Sequence, residues 1–183
     1  MKYHGILHKK VNLFFNWYES QTRQHEIDEC LKRNKQLFDE VIVVYGRPTF
    51  KELFELTKEY PNDINCFCNS DIYFTSLDRI RLISPNECYA VTRQDLINNV
   101  NAPGSQDCWI FNGWIKPIEA NFPLGFWGSD NRIAHEIKAA GYDIKNPALS
   151  INLVHLHKED NRNYMRNESN TVKEPYLTLP LCK

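Results

Sequence analysis

Four short segments of this chain carry residue types that do chemistry, at spacings that would let them act together. The first, Asn69-Ser70-Asp71, sets an amide and a carboxylate at i and i+2. Such a pair offers oxygen ligands to a hard cation such as Mg2+ or Mn2+; the same tripeptide also makes an Asx turn that closes a strand. The second, His155-Leu156-His157, puts both imidazoles on one face of an extended segment, either as two metal ligands or as two half-exposed edge residues. The third, Gly128-Ser129-Asp130-Asn131, precedes a helical pattern. Asp130 there is a plain N-cap or, beside the aromatic pair Phe126-Trp127, a general base next to a sugar platform or lid. The fourth, Ser105-Gln106-Asp107, enters the aromatic run Cys108-Trp109-Ile110-Phe111, which makes Asp107 an exposed strand-start carboxylate or a substrate hydrogen-bond acceptor. Arg23, Arg93 and Arg162 lie in polar segments at element edges, where a guanidinium fork suits diphosphate oxygens.

The hydrophobic pattern predicts the elements that must position these groups. Val11 to Phe15 is a short apolar strand, and Ile27, Cys30, Leu31, Asn34 and Phe38 fall at helical spacing over Glu26 to Phe38. Val41-Ile42-Val43-Val44-Tyr45, ended by Gly46, has the composition of a fully buried parallel strand. Thr49 with Glu52 three residues on forms a capping box for a helix whose apolar face is Phe50, Leu53, Phe54 and Leu56. Ile64 to Phe74 is a third strand-like run. This β-α-β-α-β order predicts an α/β fold with a mainly parallel, right-handed sheet. Glu87 to Thr92 and Asp107 to Phe111 follow as strands, with a Pro103-Gly104 loop between them. A helix capped by Ser129 or Asp130 runs to Ala140 with Gly141 at C′, and Ile151 to His157 is a final strand. The polar chain beyond Lys158, with Pro175 and Pro180, is expected to wrap the surface or to be partly mobile.

Composition narrows the function classes. A chain of 183 residues is about one domain, and 22 basic against 23 acidic residues leave a charge of -1, which argues against a nucleic-acid partner. The seven glycines make neither a G-x-G-x-x-G nor a G-x-x-x-x-G-K-[ST] loop, so phosphates would be held some other way. No run approaches 18 apolar residues, and the start lacks a signal-peptide core, so no membrane span and a cytoplasmic protein are expected. The six cysteines fall mostly in apolar runs without zinc-site spacing and are expected as reduced, buried thiols; Cys66 and Cys68 should share one strand face.

Taken in order, Arg23-Gln24-x-Glu26, Asn69-Ser70-Asp71-Ile72-Tyr73-Phe74, Thr92-Arg93-Gln94-Asp95, Ser105-Gln106-Asp107-x-Trp109, Gly128-Ser129-Asp130-Asn131-Arg132 and His155-Leu156-His157 resemble a group of small glycosyltransferase-like proteins. These have the GT-A fold and occur in bacteria and in large DNA viruses of algae; the likeness covers residues from about 11 to 165. The resemblance implies a UDP- or GDP-linked sugar as donor, a glycan or glycoprotein acceptor, and a Mn2+ or Mg2+ ion bridging the diphosphate. It implies that Asn69-Ser70-Asp71 is the D-x-D element, its first acid replaced by Asn69, with Asp71 on the metal and His155 or His157 completing the metal site. Asn16, Arg23, Asn69, Asp71 and Arg93 are then expected against the donor, and Asp130, with Asp107 as rival, as the base in an inverting transfer. A nucleotidyltransferase fits less well, since Asn16 to Gln24 lacks a glycine-rich phosphate loop. A non-catalytic nucleotide-sugar or glycan-binding module of degenerate transferase origin is the alternative from another class.

Overall fold

A computed structural model describes residues 9–95, 104–156 and 167–183. Among them the chain forms a six-stranded sheet in the order β2-β1-β3-β7-β5-β8, and a smaller sheet in the order β4-β9-β6. The strands are β1 (Val11–Trp17), β2 (Glu40–Tyr45), β3 (Ile64–Cys68), β4 (Ile72–Phe74), β5 (Glu87–Val91), β6 (Gln94–Asp95), β7 (Cys108–Asn112), β8 (Asp143–Lys145) and β9 (Leu153–His155). The helices are α1 (Gln24–Leu37), α2 (Phe50–Thr57) and α3 (Ser129–Ala139). In the large sheet β2, β1 and β3 pair in parallel, as do β5 and β8, while β7 runs antiparallel to both β3 and β5. The protein is thus α/β with a mostly parallel mixed sheet.

The sheet grows from β1 outward to β2 and then reverses across β1 to β3. Because β-α-β crossovers share one hand, that reversal puts the two connecting helices on opposite faces. Ile27 and Cys30 of α1 pack with Leu13, Phe15, Cys66 and Cys68 on one face. Phe50, Leu53 and Phe54 of α2 and Ile133 and Ile137 of α3 pack with Phe14, Phe67 and Trp109 on the other. Alternation along β1 and β3 therefore feeds both cores at once. Cys66 and Cys68 do share a face, and Cys30, Cys66, Cys68, Cys88 and Cys108 are free buried thiols. Burial pushes the thiols of Cys30 and Cys88 up to about 12, which leaves them inert packing groups.

Several local expectations need correcting. β2 is parallel but not fully buried: it is the edge strand, with a single neighbour, and Tyr45 is 75% exposed. The run Ile64 to Phe74 is two strands in two sheets, broken at Asn69-Ser70-Asp71, where the chain leaves β3 and turns into β4. The Thr49–Glu52 capping box is present as expected. The cap of α3 is neither Ser129 nor Asp130. It is Gly128, at φ 73 and without a side-chain cap, and a Cβ there would lie 2.6 Å from Tyr176 Oη. The short strands β6 and β8 carried too few residues to show a period, whereas β9 lies within the expected strand Ile151 to His157. The C-terminal segment does wrap the surface: Trp127 N donates to Asn170 O (3.0 Å), Val172 N donates to Trp127 O (2.8 Å), and Leu179 is buried. Residues 98–103 of the expected loop, and His157 and Arg162, lie outside the described residues.

Candidate functional site

The carboxyl ends of the parallel strands form one rim, where ligands bind in open α/β sheets. Asn16 lies near the end of β1, Asn69 directly after β3, and Arg93 two residues after β5. β7 is antiparallel, so its start rather than its end meets this rim. Asn69 N donates to Asp107 O (3.1 Å) and Asp107 N to Val91 O (2.9 Å), which fixes Ser105-Gln106-Asp107 between the ends of β3 and β5. His155 arrives from the small sheet. It stands opposite Ile72 in the β4–β9 register, and Leu156 N donates to Asp71 O (2.8 Å).

Asp71 anchors one end of the site. Its Oδ2 accepts from Arg23 Nη2 at 2.7 Å and lies 3.1 Å from His155 Nε2. Arg23 is held in turn by the buried Glu26 (Nε to Oε2, 2.7 Å), so α1 aims it. Burial opposes charge on Asp71, but the hydrogen bond and charge of His155 and of Arg23 outweigh it and hold the carboxyl well below the usual carboxylate range. The neighbouring Ser70 donates its hydroxyl to Asn16 Oδ1 (3.3 Å), and Asn16 Nδ2 donates to the Gly46 carbonyl, which ties β1, β2 and the β3–β4 turn together.

The other end is built on two carboxyls, Asp107 and Asp130. Asp107 is 1% exposed, and its oxygens accept from Arg93 Nη1 (2.6 Å), Asn69 Nδ2 (3.1 Å), Ser105 Oγ (3.0 Å) and Arg93 N (3.3 Å). So many donors make Asp107 the anchor that positions Arg93 and Asn69. It is also buried rather than an exposed strand start. Asp130 sits in the first turn of α3, where Oδ2 accepts from Gln106 N (3.2 Å). Burial, and after it the charge of Asp107, push the Asp130 carboxyl up to about 6 against the pull of backbone N–H groups. A carboxyl raised this far can take up and release a proton near neutrality.

Both ends open into one cavity of about 610 Å³, within the usual range for small-molecule sites. Asn16, Asn69, Asp71, Arg93, Asp107, Asp130 and His155 all line it; Arg23 reaches it only through Asp71. Phe126 and Trp127 form a further wall, and the Arg47 guanidinium lies 5.6 Å from the Phe126 ring. Glu26 holds Arg23, and Gln106 and Trp109 line the cavity as well; the sequence offered all three as members of the motifs around Arg23 and Asp107 but with no role of their own.

No group of three or more His, Cys, Asp or Glu side chains gathers as a ready metal cage among the described residues. What the chain offers is Asp71, whose Oδ1 has no hydrogen-bond partner among the described residues, the amide oxygen of Asn69, and His155. These fit a hard cation that takes one carboxylate and completes its shell with phosphate oxygens and water, and not one held by protein alone. Comparison with known proteins found no family model that matches the chain and no curated protein significantly similar to it. No helix among the described residues is long and apolar enough to cross a membrane.

Proposed function

We propose that this protein is a GT-A-type glycosyltransferase, moving a sugar from a UDP- or GDP-linked donor to a hydroxyl of a glycan or glycoprotein acceptor with inversion. One observation carries the reading: a single rim cavity holds a cation-paired carboxylate at Asp71 and, across Asp107, a carboxyl raised to about 6 at Asp130. Asp71, Asn69 and His155 are the residues that would hold Mg2+ or Mn2+, which when bound supplies positive charge against the leaving diphosphate. Arg93, fixed on Asp107, adds a guanidinium to the same wall. Asp130 takes the proton of the acceptor hydroxyl as that oxygen attacks the anomeric carbon from the side opposite the diphosphate. A single base facing the leaving group is the arrangement inversion requires.

The test is nucleotide release from a panel of UDP- and GDP-sugars, with and without Mn2+, in wild type and Asp130→Asn. Metal-dependent release by the wild type, lost in the variant, supports the proposal. Tight metal-dependent nucleotide binding with no release from any donor and acceptor pair would leave the binding-module alternative, towards which Asn69 in place of an acid points.

A further inference from the structure

We infer that residues 170–177 of the C-terminal segment form a clamp that sets the cavity wall at 127–131, and that Asn131 is the positioning residue through which the clamp places Asp130. This deepens the transferase reading, and rests on that reading where Asp130 is called the base. The body of α3 is anchored without the tail, since Ile133, Ala134 and Ile137 are buried in the core. Its entry depends on hydrogen bonds instead. The N-cap Gly128 has no side chain to cap the helix, and Trp127, Gly128, Asp130 and Asn131 all line the cavity.

The bonds of the tail concentrate on that entry. Trp127 is gripped twice, donating its N–H to Asn170 O and accepting from Val172 N. Asn131 is gripped twice as well: Leu177 N donates to Asn131 O (2.9 Å), and Asn131 Nδ2 donates back to Leu177 O (3.2 Å). Between the two grips Tyr176 packs on Gly128, so close that a Cβ at 128 would meet its ring and hydroxyl. A clamp needs a fixed far end, and this one is held by the buried Leu179 and by Cys182 N donating to Asn146 O (2.8 Å).

Asn131 joins the clamp to Asp130. Its Nδ2 also lies 3.3 Å from Gly104 O and 3.4 Å from Gln106 Oε1, so one amide spans the tail and the 104–106 loop. Gln106 N in that loop donates to Asp130 Oδ2 (3.2 Å). The charged neighbours are Asp107, which Arg93 partners, and Arg132, which binds Glu136 and the carbonyls of Lys173 and Glu174. Burial is the first cause of the proton affinity of Asp130. A wall released by the tail admits water, and a hydrated carboxyl returns towards its ordinary range.

The test is NMR titration of the Asp130 carboxyl, its signal assigned by its absence in Asp130→Asn. The variants are Asn131→Ala, which cuts the amide links, and Leu177→Pro and Val172→Pro, which each remove one N–H donor of the tail. Asn65→Ala, at the far end of the sheet, controls for a general loss of stability. Asp130 should titrate near 6 in the wild type and in Asn65→Ala. It should fall by roughly one pH unit in Asn131→Ala and in at least one proline variant. An unmoved Asp130 in Asn131→Ala or in both proline variants, an equal fall in Asn65→Ala, or a wild-type carboxyl in the ordinary range overturns the inference. Should one proline variant not fold, the other decides together with Asn131→Ala. Each sample is also assayed for metal-dependent nucleotide release. A raised Asp130 that falls in the tail variants, with no release from any donor, keeps the clamp and removes the transferase reading; release with an Asp130 indifferent to the tail does the reverse.

Discussion

Asn12 and Asn65 sit side by side on β1 and β3 near the amino end of the large sheet, and Asn16 and Asn69 follow on the same two segments four residues later, at the carboxyl end. The residue types and the spacing are the same at both ends. Asn12 Nδ2 donates to Asn65 Oδ1 (3.2 Å) and Asp63 Oδ2 (3.1 Å), while Asn65 Nδ2 donates to the carbonyls of Gly113 (2.6 Å) and Tyr60 (3.0 Å). Asn65 ties down backbone that turns in and out of the sheet, Asn12 links Asn65 to Asp63, and neither lines the rim cavity. At the carboxyl end Asn69 holds Asp107, Asn16 joins Ser70, next to Asp71, to the Gly46 carbonyl, and two aspartates are pushed in opposite directions. A buried asparagine is thus no signal of function by itself. What separates the ends is a cavity that the charged side chains of Asp71, Arg93, Asp107 and Asp130 line.

The strongest way to break this contrast is Asp130→Asn, expected to lower turnover by roughly 10²–10⁴-fold while raising thermal stability at neutral pH. A carboxyl raised from 3.8 to about 6 binds a proton more readily folded than unfolded, so stability falls as pH rises across that window and stays lower above it. The shift corresponds to at most about 3 kcal/mol. Nucleotide release and calorimetric melting at pH 5 and 7.5 check both parts; full turnover by the variant removes Asp130 as base.

Next in size is Asp71→Asn, for which Mn2+-dependent nucleotide affinity should drop roughly 100-fold. The native Asp71 carboxyl is depressed, so its stabilisation is present above the usual carboxylate range and is lost as pH falls through its native value. The stability deficit of the variant should therefore be full at pH 7 and shrink in strong acid. Titration by calorimetry and urea unfolding at several pH values measure the two effects.

Asn65→Ala probes the opposite end of the sheet. It removes two bonds to backbone carbonyls and the one accepted from Asn12, and should cost about 2–3 kcal/mol in urea unfolding, with nucleotide affinity per folded molecule unchanged. A change in affinity would mean that the two ends are not independent.

Asp107→Asn sharpens the account of the site itself. Removing the like charge should move the acidic limb of the rate–pH profile to lower pH, because the base must be ionised to act and Asp107 helps hold its proton on. An unmoved limb would place the cause of the raised Asp130 elsewhere. The smallest effect is expected for Tyr176→Phe, which deletes the hydroxyl bond to Val172 O in the C-terminal segment and should cost about 1 kcal/mol in thermal unfolding.

Much of this molecule can be read locally. Thr49 and Glu52 cap α2 because a hydroxyl and a carboxylate three residues apart reach the same free N–H groups in any helix that starts there. The β-branched run at 41–45 is extended for equally local reasons, yet its place at the sheet edge depends on what lies beside it, and so its burial was misjudged. The run from Ile64 to Phe74 looked continuous since apolar residues flank Asn69-Ser70-Asp71 on both sides; the turn that this tripeptide can make agrees with the break, but that β4 joins a second sheet was not legible.

The sequence by itself determined the α/β order, the apolar alternation that feeds two cores, and the residue types from which the site is made. Tertiary structure decided how those residues pair and what charge they carry. The reversed direction of β7 brings Asp107 to the rim, α1 delivers Arg23 to Asp71 from 48 residues earlier in the chain, and the fold sets two aspartates of the same intrinsic acidity far apart. Propensity and capping act over a few residues of chain, whereas desolvation and Coulomb forces act through space among groups that only folding brings together.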